Sequence, residues 1–187
     1  MAGHAGTIAL GSHNLLFNTP NQQFTITYSG LESARSMDFY LQVSDGGADN
    51  GGVMAGPVIT GIDVVTGTAF ATNNTGQSDL TVHPLIRGVH VETSSGTGPL
   101  GGKVLATVTI DTTNMAPDVY TLSAVNVGAG LAGGPYSTHL FGSTGNDLNP
   151  LITSGSITVL STPEPASGAL LALAGLALFR RRRVTER

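Results

Sequence analysis

The chain has no cysteine and no tryptophan among its 187 residues. The first absence excludes a disulfide framework, a cysteine-ligated zinc and thiol catalysis. The second removes the largest aromatic surface for stacking on sugar rings. Charge is scarce, at 11% of residues, and aromatics reach only 5%. Residues 1–162 hold just three basic side chains, Arg35, Arg87 and Lys103, against ten acidic ones. Such a body cannot neutralise a row of phosphates, so no nucleic acid is expected as a partner.

What is present is glycine, 26 residues of it, set between short alternating segments. Phe24, Ile26 and Tyr28 alternate with Thr25 and Thr27, and Phe39, Leu41 and Val43 with Tyr40 and Gln42. Val89 and Val91 flank His90, and Val104, Ala106, Val108 and Ile110 alternate with Thr107 and Thr109. A period of two marks a half-buried strand. Further strands are expected over 7–10, 57–65, 119–127 and 156–160, with glycine-rich breakers at 45–52, 73–76, 94–102, 128–135 and 142–149. No 3.6-residue apolar period is sustained before residue 160. The fold class is therefore all-β, an antiparallel β-sandwich over residues 6–160, with a short C-terminal transmembrane helix expected after it. Phe24, Ile26, Phe39, Leu41, Val43, Val108, Ile110, Leu122 and Ile157 are its expected core. A body of this length buries roughly 68–70% of its unfolded surface, which is adequate without disulfides.

Positive charge concentrates at the other end. Residues 163–187 carry five arginines against two glutamates, beside the most apolar stretch of the chain. After Pro163, Glu164 and Pro165 comes an uncharged run from Ala166 through Leu170, Leu171, Leu173, Leu176 and Leu178 to Phe179, then Arg180, Arg181, Arg182 and Arg183. The leucines spread around a helical wheel and leave no polar face, so this helix seeks an apolar environment on all sides. Its fourteen residues would reach ~21 Å, against a hydrocarbon core of roughly 30 Å. Length alone would also suit a buried core helix. Four adjacent arginines favour a membrane, with the arginines as a cytoplasmic stop and the body outside. Pro163–Pro165, the Ala/Leu helix and the arginine run together resemble the PEP-CTERM sorting signal over residues 161–187. The resemblance implies export, a transient membrane anchor and an exosortase-type sorting protease as partner, with final residence at the cell surface or in the extracellular matrix.

An exported chain needs a secretory leader, and Met1–Gly6 has no apolar stretch. Gly3-His4-Ala5 does place small residues at cleavage-site spacing. Residues 1–5 are accordingly read as a leader remnant, with in-frame sequence upstream of Met1 as the expectation.

The body carries a second, fainter resemblance. The segment from Pro57 to Gly67, the run Leu105–Asp111, Tyr120-Thr-Leu122 and Gly155-Ser-Ile-Thr-Val159 look like the exported part of PEP-CTERM surface proteins, which is similar to cohesin and carbohydrate-binding sandwiches. The resemblance implies that the antiparallel β-sandwich is jelly-roll-like, and no ligand residues follow from it.

Candidate chemistry is sparse. Gly96–Gly101 and Gly128–Gly133 both fit G-x-G-x-x-G, but neither opens a helix, so both are chance matches in a glycine-rich chain. Gly101-Gly-Lys103 lacks the spacing of a phosphate loop. Asp45, Asp49 and Asn50 gather oxygen ligands on one loop and are the weak Ca²⁺ candidates, although they lack the spacing of an EF-hand. Asp and Gly in a solvated turn account for the same segment. His4, His13, His83, His90 and His139 show no convergent spacing for a metal. Asp63, Asp79, Glu92 and Asp111 are the carboxylates that could pair for glycoside hydrolysis. Asn73-Asn-Thr75 fits a glycosylation acceptor. The reading is a non-enzymatic adhesive or structural surface protein with no cofactor. The alternative is a polysaccharide- or dockerin-binding module using Tyr40, Tyr120 or Tyr136, and a small hydrolase ranks behind both.

Overall fold

The computed structural model describes residues 6–48, 51–124 and 137–161, and the elements among them are all strands. They are β1 (Thr7–Ala9), β2 (Ser12–Leu16), β3 (Gln22–Ser29), β4 (Ala34–Val43), β5 (Val58–Asp63), β6 (Asn74–His83), β7 (Ile86–Thr93), β8 (Val104–Asp111), β9 (Val119–Ala124), β10 (His139–Gly142), β11 (Leu151–Thr153) and β12 (Gly155–Leu160). The smaller sheet runs β11-β1-β3-β8-β5. The larger runs β2-β12-β9-β4-β7-β6, with β10 also on β4. Because β7 holds one edge of β4, β9 and β10 share the other.

Alternation builds the core. In β3, Phe24, Ile26 and Tyr28 face inward while Thr25, Thr27 and Ser29 face solvent. β8 repeats this with Val108 and Ile110 in, Thr107 and Thr109 outward. From the opposite sheet come Phe39, Leu41 and Val43 of β4, Val89 and Val91 of β7, Leu122 of β9 and Ile157 of β12. All nine expected core residues are buried. Phe70 and Leu100, from connecting segments, join them and were not expected.

Four strands were not anticipated. β6 is exposed along most of its length because it is an edge strand, so it lacks an apolar alternation. The expected breaker at 73–76 instead opens this strand, and a bulge between Asn74 and Gln77 absorbs Gly76 at φ 92. The breaker at 142–149 begins inside β10. β2 and β11 are short, of five and three residues. The strands expected at 57–65 and 119–127 are described as Val58–Asp63 and Val119–Ala124.

The all-antiparallel expectation is corrected as well. β1 pairs with β11, and β2 with β12, in parallel. The cause is a shared crossing. β1 and β2 are one course that passes from the smaller sheet to the larger at Leu10–Gly11, and β11 and β12 make the same passage beside it at Ser154–Gly155. Leu10 N–H donates to Thr153 O (3.2 Å) and Ser156 N–H to Gly11 O (3.0 Å) across that point.

At the opposite margin side chains join the sheets. The Gln77 amide of β6 accepts from Val64 N–H (2.9 Å) and donates to Ile62 O (2.6 Å), imitating a strand against the course of β5. Arg87 donates to Thr60 O and Asp79 Oδ2, both at 3.1 Å. At the end of the sandwich where β2 and β8 finish, the buried Thr112 hydroxyl lies 2.7 Å from Leu16 O and accepts Thr19 N–H at 3.0 Å.

The leader remnant at 1–5, Asp49, Asn50, Tyr136, the second glycine motif, Pro163–Pro165, the helix from Ala166 to Phe179 and Arg180–Arg183 lie outside the described residues. Among the described residues, no helix is long and apolar enough to cross a membrane.

Candidate functional site

The outer face of the larger sheet gathers the polar side chains that the topology brings together. β4 turns Asp38, Tyr40 and Gln42 outward between its buried positions. β7 sets His90 opposite Asp38 and Gly88 opposite Tyr40. On the other edge of β4, β10 sets His139 opposite Asp38. One row across three strands therefore reads His90, Asp38, His139. His90 Nδ1 lies 2.6 Å from Asp38 Oδ1, and His139 Nδ1 lies 2.7 Å from Asp147 Oδ2. Below it, Gly88 makes room for the Tyr40 ring, since a Cβ at this position would collide with its edge. Tyr40 N–H donates to Thr138 Oγ1 (3.0 Å), which fixes the backbone beneath the ring. The Arg35–Glu92 ion pair (3.4 Å) continues the face and is exposed on both sides, so it contributes little energy. The arrangement is a charged and aromatic sheet surface of a kind that suits contact with a protein or polymer.

Sequence reasoning singled out Tyr40, set His90 and His139 aside as showing no convergent spacing, and missed the row, because residues 38, 90 and 139 sit on three strands and no spacing relates them. It also missed Asp38 and Asp147.

The remaining expected residues disperse. Asp79 is bound to Arg87 and Glu92 to Arg35. Asp63 accepts from Val65 and Thr66 N–H, both at 2.8 Å. Burial works to raise the Asp63 pKa, but these bonds outweigh it and hold the carboxyl below its usual range. Asp111 accepts from Thr113, which lowers it likewise. Each of the four carboxylates thus serves its own turn or ion pair. Tyr120 points inward against the core and donates to Ala116 O (3.1 Å), so it shares no platform with Tyr40. Burial, then Asp118, pushes its phenol upward. His13 stacks on Phe24 at 3.9 Å. Among the described residues no three acidic or histidine side chains converge as a metal site.

Asp45 has a different occupation. Its carboxylate accepts from Gly47 N–H (3.0 Å), Val53 N–H (2.8 Å) and Met54 N–H (3.0 Å), closing the loop between β4 and β5. Val53 and then Gly47 hold the carboxyl below its ordinary value. The same loop borders an apolar hollow of about 340 Å³, reaching from Gly46 and Gly47 past Val53 and Met54 to Pro84 and Leu85. A lowered native pKa means that the loop closure is fully present above the unfolded carboxyl value of about 3.9 and is lost as pH falls through the native one. Hydrogen exchange at Val53 and Met54 amides should therefore accelerate on acidification below that value, relative to intrinsic rates. Asp45→Asn should show the faster exchange already at neutral pH.

No protein family model and no curated protein matches the sequence. Solved structures do. The seventh ScaB type I cohesin from Pseudobacteroides cellulosolvens aligns over 86% of this chain and 95% of its own, at TM-score 0.59 and 18% identity. A non-cellulosomal cohesin from the archaeon Archaeoglobus fulgidus aligns over 88% and 96%, at 0.57 and 14%. The type I cohesin OlpA of Clostridium thermocellum, solved in complex with a dockerin, aligns over 83% and 99%, at 0.58 and 10%. The chain has the cohesin fold.

Proposed function

We propose that this chain is an exported, non-enzymatic protein-binding module with a cohesin-like body, which meets its partner through the outer face of the larger sheet. The observation that carries this reading is the cohesin fold over most of the chain, taken with cohesins solved in dockerin complexes. The face around Tyr40, Asp38, His90 and His139 supports it, because a rigid aromatic amid polar groups is the composition of a protein-contact centre. A dockerin-type protein is the partner class. Polysaccharide binding is the weaker option, since Tyr40 and Tyr120 do not share a surface.

Delivery is proposed from sequence alone. The tail after Ser161 carries the chain to the membrane, where an exosortase-type protease processes it near Pro163–Pro165 and leaves the body at the cell surface or in the matrix. A calcium ion at Asp45, Asp49 and Asn50 is not part of this reading, because Asp45 already serves the loop's own N–H groups.

Photo-crosslinking in the native host tests the binding face. A crosslinking residue at Tyr40 should yield a discrete protein adduct, and one at Thr25 on the other sheet should not. Adducts from Thr25 alone, or to polysaccharide, would overturn the assignment. Mass spectrometry of the mature protein tests delivery: it should end near residue 163, and an intact residue 187 would refute processing.

A further inference from the structure

The strand directions sort the loops to two ends, and the ends differ in chemistry. β2, β4, β6, β8 and β12 finish at one end, where β5, β7 and β9 begin. Six of the nine exposed large apolar side chains among the described residues lie there: Leu16, Val53, Met54, Val82, Val119 and Leu160. Val53 is 93% exposed and Val119 63%. Leu160 stands directly opposite Leu16, and Val119, one strand further, opposes Thr158 on the same outer face. Val53 and Met54 rise from the loop after β4, at the mouth of the apolar hollow. Five strand steps separate Leu16 of β2 from Val82 of β6, so the apolar rim spans about 24 Å. The exposed basic side chains occupy the other end: Arg35 starts β4, and Lys103 precedes β8.

We infer that this apolar rim rests on the lipid surface while the tail is anchored, so that the body stands on the membrane by its β12 end. The inference depends on the membrane reading of the tail. The chain leaves the body from this rim, at Leu160. Only residues 161–165 separate it from the apolar run, and five residues reach at most about 18 Å. The rim is thus tethered within about 18 Å of the start of the apolar run, near enough for its aliphatic side chains to reach the boundary between headgroups and acyl chains. Charge does not favour this orientation, because the exposed basic residues lie at the far end and Asp45, Asp111 and Asp118 stand at the rim itself, so anionic lipid should not be required. The sheet face around Tyr40 then runs along the membrane normal and stays open to a partner.

The absence of cysteine permits single labels on the full chain. Val53→Cys, Val119→Cys and Leu31→Cys carry an environment-sensitive dye, and the proteins are reconstituted into phosphatidylcholine vesicles with or without phosphatidylglycerol. Leu31, highly exposed at the opposite end, is the internal reference. Flotation with the vesicles reports the anchor. Dyes at 53 and 119 should shift to the blue, with a severalfold drop in iodide quenching and new quenching by spin-labelled lipid, alike in both lipid mixtures. The dye at 31 should remain open to iodide. Flotation with 53 and 119 as open to iodide as 31 overturns the inference and leaves the anchor standing. A dye at 31 that approaches lipid when phosphatidylglycerol is added overturns it too. Failure to float removes the anchor, and the inference with it.

Discussion

Gly155→Ala should be among the most damaging single substitutions in the body, lowering stability by about 3 kcal/mol or more. A Cβ at Gly155 would lie 2.9 Å from Gly11 C and 3.0 Å from Gly11 N, and closer still to Gly11 O. These are backbone atoms at the point where two adjoining courses change sheets, so no side-chain rotation relieves the contact. Separation of the two courses would break the bonds from Ser156 N–H to Gly11 O and from Leu10 N–H to Thr153 O. Urea unfolding should show a lower midpoint with an unchanged slope. Gly145→Ala is the contrast, since nothing stands within 4 Å of a Cβ there and its φ of 80 supplies only local strain. Comparable losses in the two variants would mean that the crossing is not close-packed.

Phe70→Ala should cost about 3–5 kcal/mol, the range for emptying a fully enclosed phenyl site. Phe70 belongs to no strand, yet it is completely buried, and its surroundings resist collapse. Its N–H donates to Thr68 Oγ1 (3.1 Å), its carbonyl accepts from Asn74 Nδ2 (2.8 Å), and Ala69 N–H beside it donates to Val104 O (2.8 Å). With the backbone fixed on both sides, removal of the ring leaves a cavity. At roughly 2–4 °C per kcal/mol for a domain of this size, the melting temperature should fall by about 10 °C. Leu31→Ala, on an exposed turn, should stay within about 0.5 kcal/mol of the parent.

These two positions mark where sequence reasoning worked and where it stopped. Alternation located β3, β4, β7 and β8, because each shows one face to the core, and the period of side-chain burial is then written into the residues; β1, β5, β9 and β12 were expected as further strands. It missed β6 and β2 because edge strands need no apolar face. Phe70 escaped because a loop has no period to read. The cohesin likeness read from Pro57–Gly67, Leu105–Asp111 and Gly155–Val159 agrees with the solved structures that the chain resembles. The candidate site was legible only in fragments. Tyr40 and His90 were visible, but their neighbours come from strand pairing across as many as 101 positions, as between Asp38 and His139. The local loop carboxylates Asp45, Asp63 and Asp111 drew attention as possible chemistry, and each turns out to tie its own backbone.

The pairing of the opening strands with the closing ones constrains the order of events in the life of the chain. β1 has no complete neighbourhood until β11 arrives, and β2 none until β12, the last strand before the tail. Until then the nascent polypeptide cannot lock its hydrophobic interior, and contacts of such long sequence separation form slowly. Compaction of the sandwich is therefore deferred until its closing strands have been made.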